Sequence, residues 1–429
     1  MVLLFSRSSR HSSAVLVAAL CMAALPCNRA SAQPPPQTEA RAEEIERWIE
    51  QLGDDSYAVR KAAAENLLAI GHSAREPLLK VTDGPDPETR AAARRIVSLI
   101  DTTDFRHRLE AFAADVDGRA GLTLPGWDTY RELVGGDARA RALFVEMQRQ
   151  ESLMLGTMFG ERAAVRDAAW EERLLQLVQW QMTPGGQNIA PPLASCAAML
   201  LVGSAPKAEI SDRGTVLLAQ LITRSPIQEA MQAGNHRDAV RRLVAAWIVS
   251  CPNNSESSLQ QRLALAGAND LAEAVPLALS VATGEKAPRR ASPSTRLTAL
   301  LLIGQLGKRE HVDRLEPLLD DAAVCIPAGF VGGRVGGDGN VDVQIRDVAL
   351  VVLLQLTNQK PADYGYPNAQ VRAEQAMNPA LLFPRTAAQR TTAIAKWRAW
   401  RVAQRAEKNG KDKSEKAAAP GDEKGGGKR

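Results

Sequence analysis

The chain has 429 residues, of which 45% are hydrophobic, 24% charged and only 4% aromatic. Such a length exceeds one small core and fits about two or three domains, and the shortage of rings argues against stacking-based binding of sugars or single-stranded nucleic acid. The net charge of +4 is uneven: residues 1–32 carry +3, residues 402–429 another +3, which leaves −2 for 33–401. A nearly neutral body offers no electrostatic footprint for nucleic acid.

Taken from the start, Arg7 and Arg10 precede an unbroken apolar run at 14–25, Pro26 ends it, and Ala30-Ser31-Ala32 follows as a small-x-small site. This order predicts a secretory signal peptide over 1–32, cleaved after Ala32, and an exported protein, periplasmic or extracellular. The apolar run is shorter than the about 20 residues a spanning helix needs, so no membrane span is expected in the mature chain. Leu20 and Pro26 stand before Cys21 and Cys27, where a lipoprotein signal needs a small residue. Beyond the signal only Cys196, Cys251 and Cys325 remain. They are far apart and odd in number, so at most one disulfide is expected, and no Cys-x-x-Cys offers a zinc or redox site.

Pro34-Pro35-Pro36 predicts a stiff spacer over 33–41. From about Arg41 to about Arg405 the pattern is helical with short polar turns, and no stretch sustains period-2 alternation. The expected fold class is all-α.

Internal repeats sharpen that expectation. Val59-Arg60, Thr89-Arg90, Thr295-Arg296 and Ile345-Arg346 align. Four residues after the first member stand Ala63, Ala93, Ala299 and Ala349; then Leu67, Val97, Ile303 and Leu353; then Ile70, Ile100, Leu306 and Leu356. The spacing i, i+4, i+8, i+11 is one helical stripe, and the alanines allow close approach of a neighbouring helix. Three preceding helices carry Pro-Leu at Pro77, Pro276 and Pro317, where a proline inside a helix removes a hydrogen bond and bends it.

A bent outer helix followed by a straight inner one beginning near Val-Arg resembles the HEAT repeat. Residues 42–101 resemble two consecutive units, and 268–307 and 311–357 two more. The resemblance implies a helical-repeat, armadillo-like solenoid. It also implies that Arg60, Arg90, Arg296 and Arg346 form a structural ladder with turn acids such as Asp54-Asp55 and Asp320-Asp321. More widely, the turn Leu124-Pro125-Gly126-Trp127, the run Gln344-Ile345-Arg346-Asp347-Val348-Ala349-Leu350, Tyr364-Gly365-Tyr366 and Lys396-Trp397-Arg398-Ala399-Trp400 resemble exported bacterial HEAT-repeat proteins of the planctomycete type, a group without an assigned activity.

Between the repeat pairs, 102–183 reads as a helical region, with Asp128 or Thr129 a candidate cap after the Leu-Pro-Gly-Trp turn. Pro184-Gly185-Gly186 and Pro191-Pro192 predict a domain boundary. Residues 193–401 read as C-terminal helical repeats, with a degenerate unit at 239–248. The tail at 402–429 is rich in Lys, Glu, Gly and Ala and is expected to be disordered and solvated.

The excursion at 322–343 interrupts the last repeat. A short hairpin pairing 324–326 with 341–343 is expected, and long excursions from a repeat scaffold often carry binding specificity. Asp338, Asn340 and Asp342 have the alternate spacing of a calcium loop, but Val343 stands where that motif needs Gly and Ala349 where it needs Glu. They remain weak calcium candidates beside the alternative of a plain long turn. His72 and His311, each following a helix-ending Gly, are expected to bond helix-end carbonyls. No Gly-x-Ser-x-Gly occurs, and Cys196 and Cys251 lie in apolar helical surroundings where a thiol is inert. No catalytic residue, cofactor site or firm metal site is expected.

The functional expectation is a scaffold outside the cytoplasm that binds another protein through its helical surface and the 322–343 excursion. The alternatives are an enzyme or accessory subunit like the bilin lyases built on similar repeats, and a structural component of an envelope assembly.

Overall fold

The computed structural model describes residues 36–159, 166–179, 190–205, 210–223, 225–251, 255–285, 291–327, 341–366 and 386–418. The predicted signal peptide with its Ala32 site therefore lies outside the described residues, as do Asp338 and Asn340. The chain divides into two compact units, residues 1–105 and 106–429.

The first unit contains α1 (Pro36–Gln51), α2 (Tyr57–Ile70), α3 (His72–Val81) and the start of α4 (Pro87–Ala114). Its core joins Ile45, Ile49 and Leu52 to Ala63, Leu67, Ala74, Leu78, Ala93, Ile96, Val97 and Ile100. The repeat stripe is thus the buried stripe. The turn after α1 approaches the start of α4 closely: a Cβ on Gly53 would lie 2.8 Å from Thr89 Oγ1, so a larger residue there would have to displace the Thr89 side chain. Helix α1 begins at Pro36, which corrects the expected spacer over 33–41. A proline at the first helical position loses nothing, because that amide has no partner within the helix.

The second unit begins within α4 and continues with α5 (Trp127–Val134), α6 (Ala138–Phe159), α7 (Arg166–Gln179), α8 (Leu193–Gly203), α9 (Asp212–Ile222), α10 (Ser225–Gln232), α11 (Arg237–Ser250) and α12 (Glu256–Ala268). Then come α13 (Val275–Thr283), α14 (Pro293–Leu306), α15 (Val312–Leu315), strands β1 (Val324–Ile326) and β2 (Val343–Gln344), α16 (Ile345–Leu356) and α17 (Ala387–Ala418). The described residues are mostly helical, as expected for an all-α chain, and none of these helices is long and apolar enough to cross a membrane.

Helices of this unit pack in two rows. In one row α7 packs on α9, α9 on α12, α12 on α14 and α14 on α16. In the other, α6 packs on α8, α8 on α11, and α11 on the 3-10 turn Ala272–Ala274 that leads into α13; α13 in turn contacts α15. The rows meet most extensively between α13 and α14. Packing of α6 on α8 joins the segments on either side of 184–192, so the boundary predicted there is corrected: the division falls at Phe105, near the end of the first repeat pair.

The alanine column is buried in both units, Ala63 and Ala93 in the first and Ala299 and Ala349 in the second. Ala63, Ala93, Ala299 and Ala349 have no exposed surface, and Leu67, Ile303 and Leu353 are equally covered. The proline column is less uniform than expected. Pro77 lies inside α3, whereas Pro276 sits in the first turn of α13 and Pro317 in the first turn of the 3-10 segment Glu316–Asp320. In the latter two the missing amide falls where a helix begins, so no bend is needed.

Two local expectations are corrected. Helix α5 is preceded by Gly126 at φ 85°, not capped by Asp128 or Thr129; Asp128 lies in the first turn and pairs with Arg131 at 3.2 Å. A Cβ on Gly126 would also meet the Phe159 ring at 2.8 Å. At the other end of the chain, α17 continues to Ala418, well into the segment expected to be disordered. Its Ala, Lys, Glu, Arg and Gln content is rich in strong helix formers, which local propensity favours over the low-hydrophobicity argument.

Candidate functional site

The excursion at 322–343 is the sequence feature most suggestive of function, and its base is built with unusual care. Strands β1 and β2 pair antiparallel with Val324 opposite Gln344 and Ile326 opposite Val343, so the expected hairpin forms, shifted slightly toward the helix that follows. The amide of Ile345 donates to the Ala323 carbonyl at 2.9 Å, and that of Arg346 to the Asp321 carbonyl at 3.0 Å. The hairpin is therefore tied into the first turn of α16.

One buried carboxylate organises the collar. Asp347, with no exposed surface, accepts from Arg390 Nε at 2.7 Å, Arg390 Nη2 at 2.8 Å, the Tyr366 hydroxyl at 3.0 Å and the Gln344 amide at 2.9 Å. Arg390 Nη2 also donates to the Asp342 carbonyl at 2.8 Å. Fork-to-fork pairing of this kind satisfies both charges in a dry site. It leaves Asp347 committed as an acceptor and Arg390 as a donor, which is the arrangement of an anchor. On the other side Arg296 pairs with Asp321 at 2.7 Å and donates through Nε to the Ala282 carbonyl at 2.9 Å.

The thiol and the phenol beside this collar are held neutral. Burial pushes the Cys325 thiol up to about 11, helped by the negative charge of Asp347. Burial also raises the Tyr366 phenol, again with help from Asp347. Cys196 is pushed up to about 12 by burial, which fits the inert thiol expected of it. All three described cysteines are free thiols. Among the described residues no three His, Cys, Asp or Glu gather to hold a metal. Of the calcium candidates only Asp342 is described, and its carbonyl faces the Arg390 guanidinium.

The four repeat arginines are brought together only in part. Arg60 Nη1 donates to the Asp54 and Asp55 carbonyls at 2.6 and 3.0 Å, and Arg90 Nη1 to those of Gly84 and Pro85 at 2.9 and 3.0 Å. The same bond at the same offset at the starts of α2 and α4 is a repeat in geometry as well as in sequence. It uses turn carbonyls where turn carboxylates were expected. Of the expected arginine–acid ladder, only Arg296–Asp321 forms as anticipated; Arg346 donates to the Gln344 side chain at 2.6 Å. The histidines also differ from expectation. His72 Nδ1 bonds the Asp104 carboxylate at 2.9 Å, and His311 Nδ1 accepts from the Lys308 amide at 2.9 Å; a nearby carboxylate and a free amide outcompete helix-end carbonyls.

A different ladder runs along the row. Ser211, Ser255 and Ser292 cap α9, α12 and α14, each accepting from an amide three residues on. Each serine hydroxyl also donates to a carboxylate on the preceding helix of the row: Ser211 to Glu171, Ser255 to Asp212 and Ser292 to Glu256. Glu256 further accepts from the Thr295 hydroxyl and the Ser292 amide. Burial pushes Glu256 up, but these hydrogen bonds outweigh it and hold the carboxyl below its usual range. Sequence reasoning missed this ladder; Ser-Asp at 211–212 and Ser-Glu at 255–256 are its visible helix-start signals.

No family model, no curated protein and no solved structure matches this chain.

Proposed function

We propose that the protein is a helical-repeat scaffold of the HEAT kind, exported from the cytoplasm, that binds another protein through its helical surface and the 322–343 excursion. The observation that carries this reading is the row α7–α9–α12–α14–α16, with a serine–carboxylate rung at each of its three junctions from α7 to α14. A recurring contact between consecutive helices is how a repeat array extends, since each unit contacts mainly its neighbours and leaves a long surface for a partner. The collar around Asp347 supports the second half. A buried ion pair is weak evidence for stability but suits a device that fixes one geometry, here the base from which the excursion leaves. The export assignment rests on the order of basic, apolar and small-residue segments before residue 33. HEAT membership rests on the Arg, Ala and Pro-Leu columns together.

Mild crosslinking of envelope fractions, followed by purification of the tagged mature chain, tests this reading. A single protein recovered in near-stoichiometric amount is the expected result. A bound pigment, a large sedimenting assembly, or no enriched protein contradicts it.

A further inference from the structure

The first unit carries an open groove whose floor reaches its core at Leu52 and Ile96. It has a volume of about 550 Å³ and is walled by α2 and α4. The two helices run alongside in the same direction: Arg60 and Glu88, in their first turns, approach to 3.8 Å, while Leu68 and Leu99, further along, share the same groove. On α2 the core stripe is Ala63 and Leu67, yet a second stripe, Tyr57, Ala64 and Leu68, faces the groove. The spacing i, i+7, i+11 puts those three on one face. Tyr57 is 70% exposed, Leu99 44% and Leu68 37%. Large apolar side chains gathered at this exposure mark a contact surface more than random scatter does.

Charge identifies the occupant. Arg60 is matched by Glu88, and Lys61 lies 3.8 Å from Glu65. Arg95, four residues before Leu99 on α4, has no ion-pair or hydrogen-bond partner among the described residues, so the groove lining holds one uncompensated cation. From Tyr57 to Leu68 the apolar wall measures about 16 Å at the helical rise, or three turns. We propose that this groove receives a three-turn amphipathic helix of a partner protein, apolar on one face and bearing a carboxylate that meets Arg95. Parallel helical walls with apolar anchors at helical spacing and one charge are the elements of helix-in-groove recognition. The proposal rests on the scaffold reading but adds a separate site, since it concerns the first unit alone.

The test uses the full mature chain and two labelled helical peptides of about 15 residues, long enough for the wall at 1.5 Å per residue. Both carry leucines at i, i+4, i+7 and i+11; one has Glu and the other Lys at the position facing Arg95. Fluorescence anisotropy should show the Glu peptide binding roughly tenfold tighter than the Lys peptide, the effect of replacing an attraction by a repulsion. Arg95→Glu should reverse that order, and Leu68→Ser or Leu99→Ser should weaken both peptides, with circular dichroism unchanged. Equal affinity of the two peptides, indifference to Arg95→Glu, or no binding by either would overturn the proposal. So would self-association abolished by Leu68→Ser, which would make a second copy the occupant, or binding to anionic vesicles abolished by the same change, which would make it a lipid surface. Loss of the peptide result with partner capture intact removes the groove and leaves the scaffold; loss of partner capture with the peptide result intact does the reverse.

Discussion

Arg390 holds both carboxylate oxygens of Asp347 through Nε and Nη2 of its guanidinium, 43 residues away in sequence, at a point where neither side chain is more than 5% exposed. Removing one partner of such a pair strands a charge in a dry site. Arg390→Ala is therefore expected to cost about 3–5 kcal/mol, while replacing both by apolar residues of similar volume should cost much less. Urea unfolding of the two variants checks this; equal losses would show that the pair's charge is not what matters.

The serine rungs give a second expectation. Ser211→Ala, Ser255→Ala and Ser292→Ala each remove a helix cap together with a bond to the neighbouring helix. Each should lower stability by about 0.5–2 kcal/mol, the usual cost of losing a cap. Thermal unfolding of the single variants measures it, and a neutral Ser292→Ala would show that the rung carries no weight.

Glu256 sets a pH dependence whose sign follows from its lowered pKa. Its contribution is fully present above the unfolded glutamate value of about 4.3, and is lost as pH falls below that through the depressed folded value. Glu256→Gln should accordingly lower stability at neutral pH and flatten the acid limb below about pH 4. Denaturant midpoints measured from pH 7 to pH 3 test this, and an unchanged acid limb would contradict it.

The buried alanine column predicts intolerance to size. Ala63→Leu and Ala299→Leu place extra methylenes where no surface is exposed. Overpacking of this kind costs about 1–3 kcal/mol. The same change at Ala91, which is exposed in α4, should be nearly silent. Unfolding midpoints that do not separate the two classes would contradict the assignment of the column to the packed face.

These expectations show which parts of the fold were legible beforehand. The alanine and leucine columns were, because helical periodicity records burial directly: Ala349 and Leu353 lie on the stripe and have no exposed surface. The hairpin was legible because Val324 and Val343 flank a glycine-rich run. The collar was not. Tyr366 and Arg390 reach Asp347 from 19 and 43 residues away, and nothing in local spacing announces a long-range polar contact. The serine ladder was half legible. Each cap has a local signal, but the carboxylate it reaches belongs to another helix, as Glu171 does for Ser211, 40 residues earlier. The tail was misread because low hydrophobicity speaks to burial, whereas α17 continues to Ala418 on helix-forming composition.

The scaffold reading is tested most directly by titrating the partner recovered from envelope crosslinking against two forms of the mature chain: the wild type, and a variant with residues 328–340 replaced by an Asn-Gly turn. The replacement leaves β1, β2, Asp347 and Arg390 in place, so helicity and the unfolding midpoint should be unchanged, while affinity for the partner falls by at least about tenfold, or 1.4 kcal/mol. Equal affinity of the two forms at equal stability would contradict the role given to the excursion.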